Sequence, residues 1–355
     1  LHLPLGVSFY TFHAISYLVD VYRQKTPPQK NLLRLGLYLA LFPKLVMGPI
    51  VPYHELEPAL AQRTIDAQDV SDGCFRFTIG LAKKALLADA LAGLVTGIWG
   101  DLASLTVLSA WLGLIGYALQ LYFDFSGYSD MAIGLGRMLG FRFPENFRYP
   151  YLCSSISDFW RRWHISLGSW FKEYLYFSLG GSRAGTLRTL RNLLLVWLAT
   201  GLWHGASWNY VLWGLYFGVL ICLEKLLAPR FRAHPRKGLL AGLYRPVCLL
   251  LAVLGWVLFR AEDLPAAGRY FACLFGGAAG VSAQARLYLH DFWPVLLLGA
   301  VGATPLCAKL AVRLGAKLQP GVRAAVQAVL VLALLACSTV WLLNGSFQSF
   351  VYFQF

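Results

Sequence analysis

The chain has 355 residues, 58% of them hydrophobic and only 14% charged, with a mean hydropathy of +0.57. Soluble domains carry about 25% charged residues, so the composition predicts an integral membrane protein and excludes an ordinary water-soluble domain. The net charge is +14, from 31 Lys+Arg against 17 Asp+Glu. The bases sit mostly in short loops between apolar runs, which fits cytoplasmic loops under the positive-inside rule and argues against a nucleic-acid surface.

In chain order, residues 5–21 form the first candidate span, aromatic-rich and with His13 inside it. Pro27-Pro28 closes that segment, because proline cannot continue a helix. Residues 32–50 contain Phe42-Pro43-Lys44 and Gly48-Pro49, so a kinked or broken segment is expected, followed by a polar loop or interfacial stretch over 51–72. Residues 75–98 read as a long helix interrupted by Lys83-Lys84, which should face a cavity or snorkel to the interface. A span over 107–123 runs into the polar run from Asp124 to Asp130 and then a short helix over 131–139; residues 141–150 form a loop with four aromatics, Arg142 and Arg148.

Residues 157–174 are amphipathic. At 100° per residue, Phe159, Trp160, Trp163, Leu167, Trp170, Phe171 and Tyr174 fall on one stripe, with Asp158, Arg161 and Arg162 elsewhere. A helix lying in the membrane interface has this pattern. His164 falls at the edge of the stripe, next to Trp160.

Residues 193–223, with Asn192 in front, are a long apolar run broken once, at Gly201-Leu202-Trp203-His204-Gly205. An ionisable group inside a membrane-length apolar segment is costly and therefore a functional candidate. Irregular backbone at that depth is tolerated only where protein or a water-filled cavity surrounds it. Arg183, Arg188 and Arg191 before the run, and Arg230, Arg232, Arg236 and Lys237 after it, place both ends on the cytoplasmic side, so the stretch enters and returns. From 193 to 202 is about 15 Å of helix, half of a core about 30 Å thick, which puts His204 near the midplane.

Further spans lie at 247–259, 292–312 and 324–343, with a loop and a short amphipathic segment over 260–276. Roughly seven to nine membrane segments result, several too short or broken for simple crossings, in one membrane domain over 1–355 without a soluble appendage. The chain starts at Leu1 without Met, shows no signal peptide and enters an apolar run at once. A trimmed N-terminus with upstream helices missing is therefore expected. The seven cysteines are scattered, form no CxxC, and read as small buried hydrophobes.

His204 as a neutral imidazole suits a general base that takes a proton from a hydroxyl, which then attacks an acyl group; the competing reading is a core histidine satisfied between helices. His164 either packs on the aromatic stripe or serves as a second site group beside Trp163. The two histidines are 40 residues apart with no third ligand near, which argues against a metal. Asp124 could orient a histidine, while Ser129 or Asp130 could cap the helix over 131–139. Trp160, Trp163, Trp203, Trp208 and Asn192 complete the candidate lining. No GxSxG, Walker or Rossmann fingerprint is present. A broken helix near the midplane also suits a secondary transporter, but no inverted repeat and no second matching broken helix are visible.

Seven stretches carry a resemblance: LPLGVSFYTFHAISYLVDVYR, FPKLVMGPIVPYHEL, YFDFSGYSDMAIGLGRMLGF, FPENFRYPYLCSSISDFWRRWHISLGSWFKEYLYFSLGGSR, GLWHGASWNYVLWG, WVLFRAEDLPAAGRYFACLFG and the terminal FVYFQF. Through them the chain resembles the membrane-bound O-acyltransferase family, in its bacterial alginate O-acetyltransferase branch. The resemblance implies an all-α integral membrane bundle, with broken or re-entrant helices and interfacial amphipathic helices around a central tunnel. It maps the family's catalytic histidine onto His204 and its second motif histidine onto His164. It further implies acetyl transfer from cytoplasmic acetyl-CoA, with no bound cofactor, to hydroxyls of an exopolysaccharide, with a periplasmic SGNH-type partner and a location in the bacterial inner membrane. Teichoic acid D-alanyl transferases share the histidine blocks but match GPIVPYHEL and FDFSGYSD less closely; they and the peptidoglycan O-acyltransferases are the alternatives. The chain departs from the family at Pro52 and at KEYLYFSLGG, where members read GPIVRY and RDYLYIPLGG, changes that bear on the substrate-side surface.

Overall fold

The computed structural model describes residues 6–183, 185–233 and 239–344. Leu3 to Leu5, Arg236, Lys237 and the terminal FVYFQF lie outside the described residues. Among the described residues there are helices and loops and no strand, so the all-α membrane architecture stands. α1 (Val7–Tyr22) is followed by α2 (Leu32–Ala40), whose first turn is capped by Asn31 accepting from Leu33 and Arg34 N–H. The expected break after α2 is a tight turn at Phe42–Lys44, followed by bends over 45–48 and irregular chain to Pro52. α3 (Tyr53–Ala61) then packs on α1 and α2.

α4 (Ala67–Ala82) and α5 (Asp89–Trp99) are one rod joined by a wide turn over Lys83–Ala88, closed by i to i+5 hydrogen bonds. The wide turn aims both lysines at the next helix, α6 (Val107–Met138), rather than at lipid or a cavity. Lys83 Nζ lies 2.6 Å from Asp130 and Lys84 Nζ 2.7 Å from Asp124. α6 starts in a reciprocal cap between Thr106 and Ser109 and runs unbroken for 32 residues. The break expected from Asp124 to Asp130 is absent. Both carboxylates turn toward α4 and its wide turn, where lysines neutralise them, and so do not compete for backbone hydrogen bonds. Gly73 and Gly80 of α4 meet Gly134 and Gly127 of α6 so closely that a Cβ at any of them would strike the partner backbone, a small-residue seam of the kind membrane helices use.

The aromatic stretch 157–174 is not one interfacial helix. It divides into α7 (Ile156–Trp160), a turn ending at His164, α8 (Ile165–Trp170) and a second wide turn over Phe171–Tyr176. Its stripe is buried in protein: Phe159 is 0% exposed and Trp170 7%. Phe159 and Trp163 belong to the main core with Trp256, whereas Leu167, Trp170, Phe171 and Tyr174 pack with Phe9 and Phe12 of α1. A core-facing helix and an interfacial one share the same periodicity, and here the apolar face found protein.

α9 (Thr186–His204) and α10 (Trp208–Ala233) form the expected hairpin, followed by α11 (Leu239–Arg260) and α12 (Leu264–Leu274), which Asp263 caps. Tyr270 of α12 stacks on Trp99 at 3.9 Å and donates to Ala110 O, fixing α12 to α5 and α6. The expected span over 292–312 is bent by 68° between α13 (Ala283–Gly302) and α14 (Leu306–Gly315), and α15 (Pro320–Asn344) closes the described chain.

Among the described residues, four helices are long and apolar enough to cross a membrane, or five with the bent pair; the other expected segments are of the kind expected to be too short or broken for a simple crossing. α1 has only 16 residues, the α4–α5 rod is interrupted by charge, and the first turns of α9 carry Arg188 and Arg191. α6 is the buried axis of the bundle, whereas α15 leaves nearly all its side chains exposed, an apolar surface suited to lipid.

Candidate functional site

The α9–α10 hairpin positions His204. Gly201 and Gly214 let the two backbones touch: a Cβ on Gly201 would collide with Tyr210 O, and one on Gly214 with Trp197 O. Gly201 is therefore inside α9, and the chain reverses only after His204, through Gly205 to Ser207. Arg191 precedes His204 by 13 residues, about 20 Å of helix. Counted from Arg191 as one surface, that length leaves His204 nearer the midplane of a core about 30 Å thick than either surface. Its ring, 9% exposed, is caged by Trp203 at 4.6 Å, Trp213 at 5.0 Å and Phe259 at 5.1 Å between centroids.

His164 reaches the same region by a different route. It is the last residue of the turn between α7 and α8 and adopts φ 45°, ψ 54°, a left-handed conformation that costs a non-glycine residue about 1–3 kcal/mol. The turn is held by the 146–148 strand of chain: Arg148 N–H donates to Arg162 O, Ile165 N–H to Asn146 O, and Ser166 N–H to Asn146 Oδ1. His164 Nδ1 lies 3.2 Å from the same Oδ1, and its ring meets Phe125 edge-on at 4.7 Å. His164 is 3% exposed.

Both histidines line one cavity of about 1120 Å³. Leu193, Val196, Trp197, Thr200 and His204 form its α9 wall, spaced as one face of a helix, and from Leu193 to His204 that face is about 16 Å long. Trp160, Trp163, Trp213, Trp256 and Phe259 make the surroundings of the histidines aromatic. Arg161, Lys172 and Lys225 also line the cavity, and all three are exposed, so it opens at a cationic surface. Glu224 is the acidic side chain beside them on the wall, and it holds the first turn of α7.

Of the residues singled out in the sequence, His204, His164, Trp160 and Trp163 share this cavity; four others do not line it. Asp124 is buried beside Lys84, itself also 2.7 Å from Asp89; its charge is engaged between α6 and the wide turn. Asn192 donates to Leu179 O at 2.9 Å and Gly181 O at 3.0 Å, fastening the loop before α9. Trp203 sits behind His204 against Phe9 and Phe12. Trp208 opens α10 and is 70% exposed. Sequence reasoning missed Asn146 and Glu224. Nothing local marks Asn146, but Glu224 follows an apolar run directly, and a carboxylate there is a signal in itself. Among the described residues, no three His, Cys, Asp or Glu side chains converge as metal ligands.

Residues 22–247 match the model of the MBOAT, or membrane-bound O-acyltransferase, family. The chain is 48% identical over 273 residues to a probable alginate O-acetylase of Pseudomonas aeruginosa, covering 77% of this chain and 52% of that protein. It is 37% identical over 294 residues to a peptidoglycan O-acetyltransferase of Helicobacter pylori, covering 75% and 55%. It is 29% identical over 231 residues to a teichoic acid D-alanyltransferase of Bacillus subtilis, covering 61% and 58%. The chain thus spans about half the length of the curated relatives it matches.

Proposed function

The chain belongs to the membrane-bound O-acyltransferase family, and on that premise we propose that it transfers an acetyl group from cytoplasmic acetyl-CoA to hydroxyls of an extracytoplasmic polysaccharide, directly or through a periplasmic SGNH-type partner, in the inner membrane of a bacterium. One observation carries this reading: two histidines from separate segments face one deep cavity whose exposed end is cationic. Arg161, Lys172 and Lys225 suit the phosphates of an anionic donor, and a narrow extended arm fits the 16 Å or so between Leu193 and His204.

In the proposed reaction the neutral His204 imidazole takes the proton of the acceptor hydroxyl. The oxygen attacks the thioester carbonyl, the carbon–sulfur bond breaks, and the imidazolium returns the proton to the departing thiolate. Ester and free thiol result, with no other reactant. The surrounding indole and phenyl rings keep bulk water from the thioester, which limits hydrolysis. His164 assists from a separate segment of the same cavity.

His204→Ala tests the assignment, assayed in membranes with labelled acetyl-CoA and the polymer as acceptor. Loss of a positioned general base lowers rate by about 10²–10⁴-fold, and a fall of that size at normal protein level is expected. Full polymer acetylation by this variant would remove His204 from the chemistry.

A further inference from the structure

Asn146 is 0% exposed, and every polar atom of its side chain is engaged. Its Nδ2 donates to Ser129 Oγ at 3.1 Å. Its Oδ1 meets three groups: Ser166 N at 3.2 Å, Ser166 Oγ at 2.9 Å and His164 Nδ1 at 3.2 Å. A backbone N–H can only donate, so the atom facing Ser166 N must be the amide oxygen, and the orientation of Asn146 is not ambiguous. The hydroxyl of Ser166 accepts from Ile50 N–H at 3.0 Å, which leaves its own proton for Asn146.

An amide oxygen only accepts. His164 Nδ1 must therefore carry the hydrogen, and in a neutral imidazole the other nitrogen then carries none. Nε2 is buried without a hydrogen-bond partner among the described residues, on a side chain that lines the cavity. A buried polar atom left bare is the exception in folded proteins and points to a functional role.

We propose that Asn146 is the positioning residue that holds His164 in its Nδ1–H tautomer, so that Nε2 accepts an O–H or N–H from the bound substrate. His164 then orients substrate as an acceptor and does not donate to the thioester carbonyl. The same amide clamps the left-handed turn, so one residue sets both the direction of the ring and its protonation pattern. This rests on the acyl-transfer reading above and decides which of two roles His164 has within it.

The test uses ¹⁵N-histidine-labelled full chain in lipid membranes, with the His164 signals identified by their loss in His164→Gln. Wild type should show Nδ1 protonated and Nε2 unprotonated. Asn146→Leu should lose that preference and lower acetyl transfer at saturating acetyl-CoA by about 10–100-fold, the scale for losing an outer partner of a functional histidine, with KM for acetyl-CoA unchanged. Asn146→Asp keeps the acceptor and should keep the tautomer. Its carboxylate favours the imidazolium, so the acid limb of the pH–rate profile should move to higher pH. An Nε2–H tautomer in wild type, or a tautomer indifferent to Asn146→Leu, overturns the proposal; so does an acid limb unmoved in Asn146→Asp. Because the tautomer is read without turnover, an inactive chain showing the Nδ1–H form supports the role of Asn146 while striking the acyl-transfer reading.

Discussion

Glu224 Oε2 accepts from the Ser157 N–H at 2.8 Å and from the Ser157 hydroxyl at 2.6 Å. Its other oxygen takes the Ile156 N–H at 2.7 Å and the Tyr244 hydroxyl at 2.6 Å. One carboxylate on α10 thus ties the first turn of α7 to α11, and all three elements wall the cavity. Glu224→Ala leaves two backbone donors of a part-buried helix start without partners, at about 1–3 kcal/mol each where water does not replace them. A lower melting temperature in detergent is expected, with a smaller drop for Glu224→Gln, which keeps one acceptor oxygen. Equal melting curves for wild type and Glu224→Ala would show that α7 is held by its aromatic packing alone.

Lys84 lies 2.7 Å from both Asp89 and Asp124, with all three side chains buried. Lys84→Met takes the ammonium away from two buried carboxylates at once, and breaking a buried pair costs about 3–5 kcal/mol. Asp124→Asn leaves Lys84 its partner Asp89 and should be milder. Thermal unfolding of the two variants should rank them in that order. Asp124→Asn with an unchanged melting curve but no acetyl transfer would return Asp124 to the reaction.

These two clusters also show where sequence reading stops. The break near His204 was legible because a histidine between glycines interrupts an otherwise apolar run, and every cue is local. The aromatic stripe of 157–174 was legible as a stripe. Its interruption was not, because the left-handed turn at His164 is held by Asn146, 18 residues away, and no cue within the segment signals it. Asp124 was suspected as a lone carboxylate; its partner is Lys84, 40 residues earlier, brought round by a wide turn with no marker in its residues. The cationic mouth likewise joins Lys225 of α10 to Arg161 and Lys172 of the 157–174 stretch, and only the fold brings them together.

Gly214 offers a test of the hairpin that leaves every polar group of the site in place. A Cβ there meets the Trp197 carbonyl and the backbone of Gly201, neither of which can rotate away. Gly214→Ala should force α9 and α10 apart, with overpacking of about 1–3 kcal/mol, and shift the Trp197 and His204 wall. Reduced acetyl transfer with a lowered melting temperature is expected. Gly242→Ala, where an added Cβ meets nothing within 4 Å, is the control and should leave both unchanged. If the two substitutions behave alike, contact between the hairpin backbones does not set the site.

Asp158 supplies the pH dependence. Burial pulls its carboxyl upward, but the Ser154 N–H and the Arg162 guanidinium outweigh that and hold it below the usual carboxylate range. It accepts from Ser154 N–H at 2.9 Å and from Arg162 Nε at 3.0 Å, linking the turn before α7 to the one before His164. A carboxyl lowered in the folded state contributes stability that is fully present above its unfolded value, about 3.9, and is lost as pH falls through the lower folded value. Asp158→Asn removes the charge at every pH. The melting-temperature gap between wild type and this variant should therefore stay constant from pH 7 to about 5 and narrow below about 4. A gap that held its size down to pH 3, or widened, would mean that Asp158 acts through its shape and not its charge.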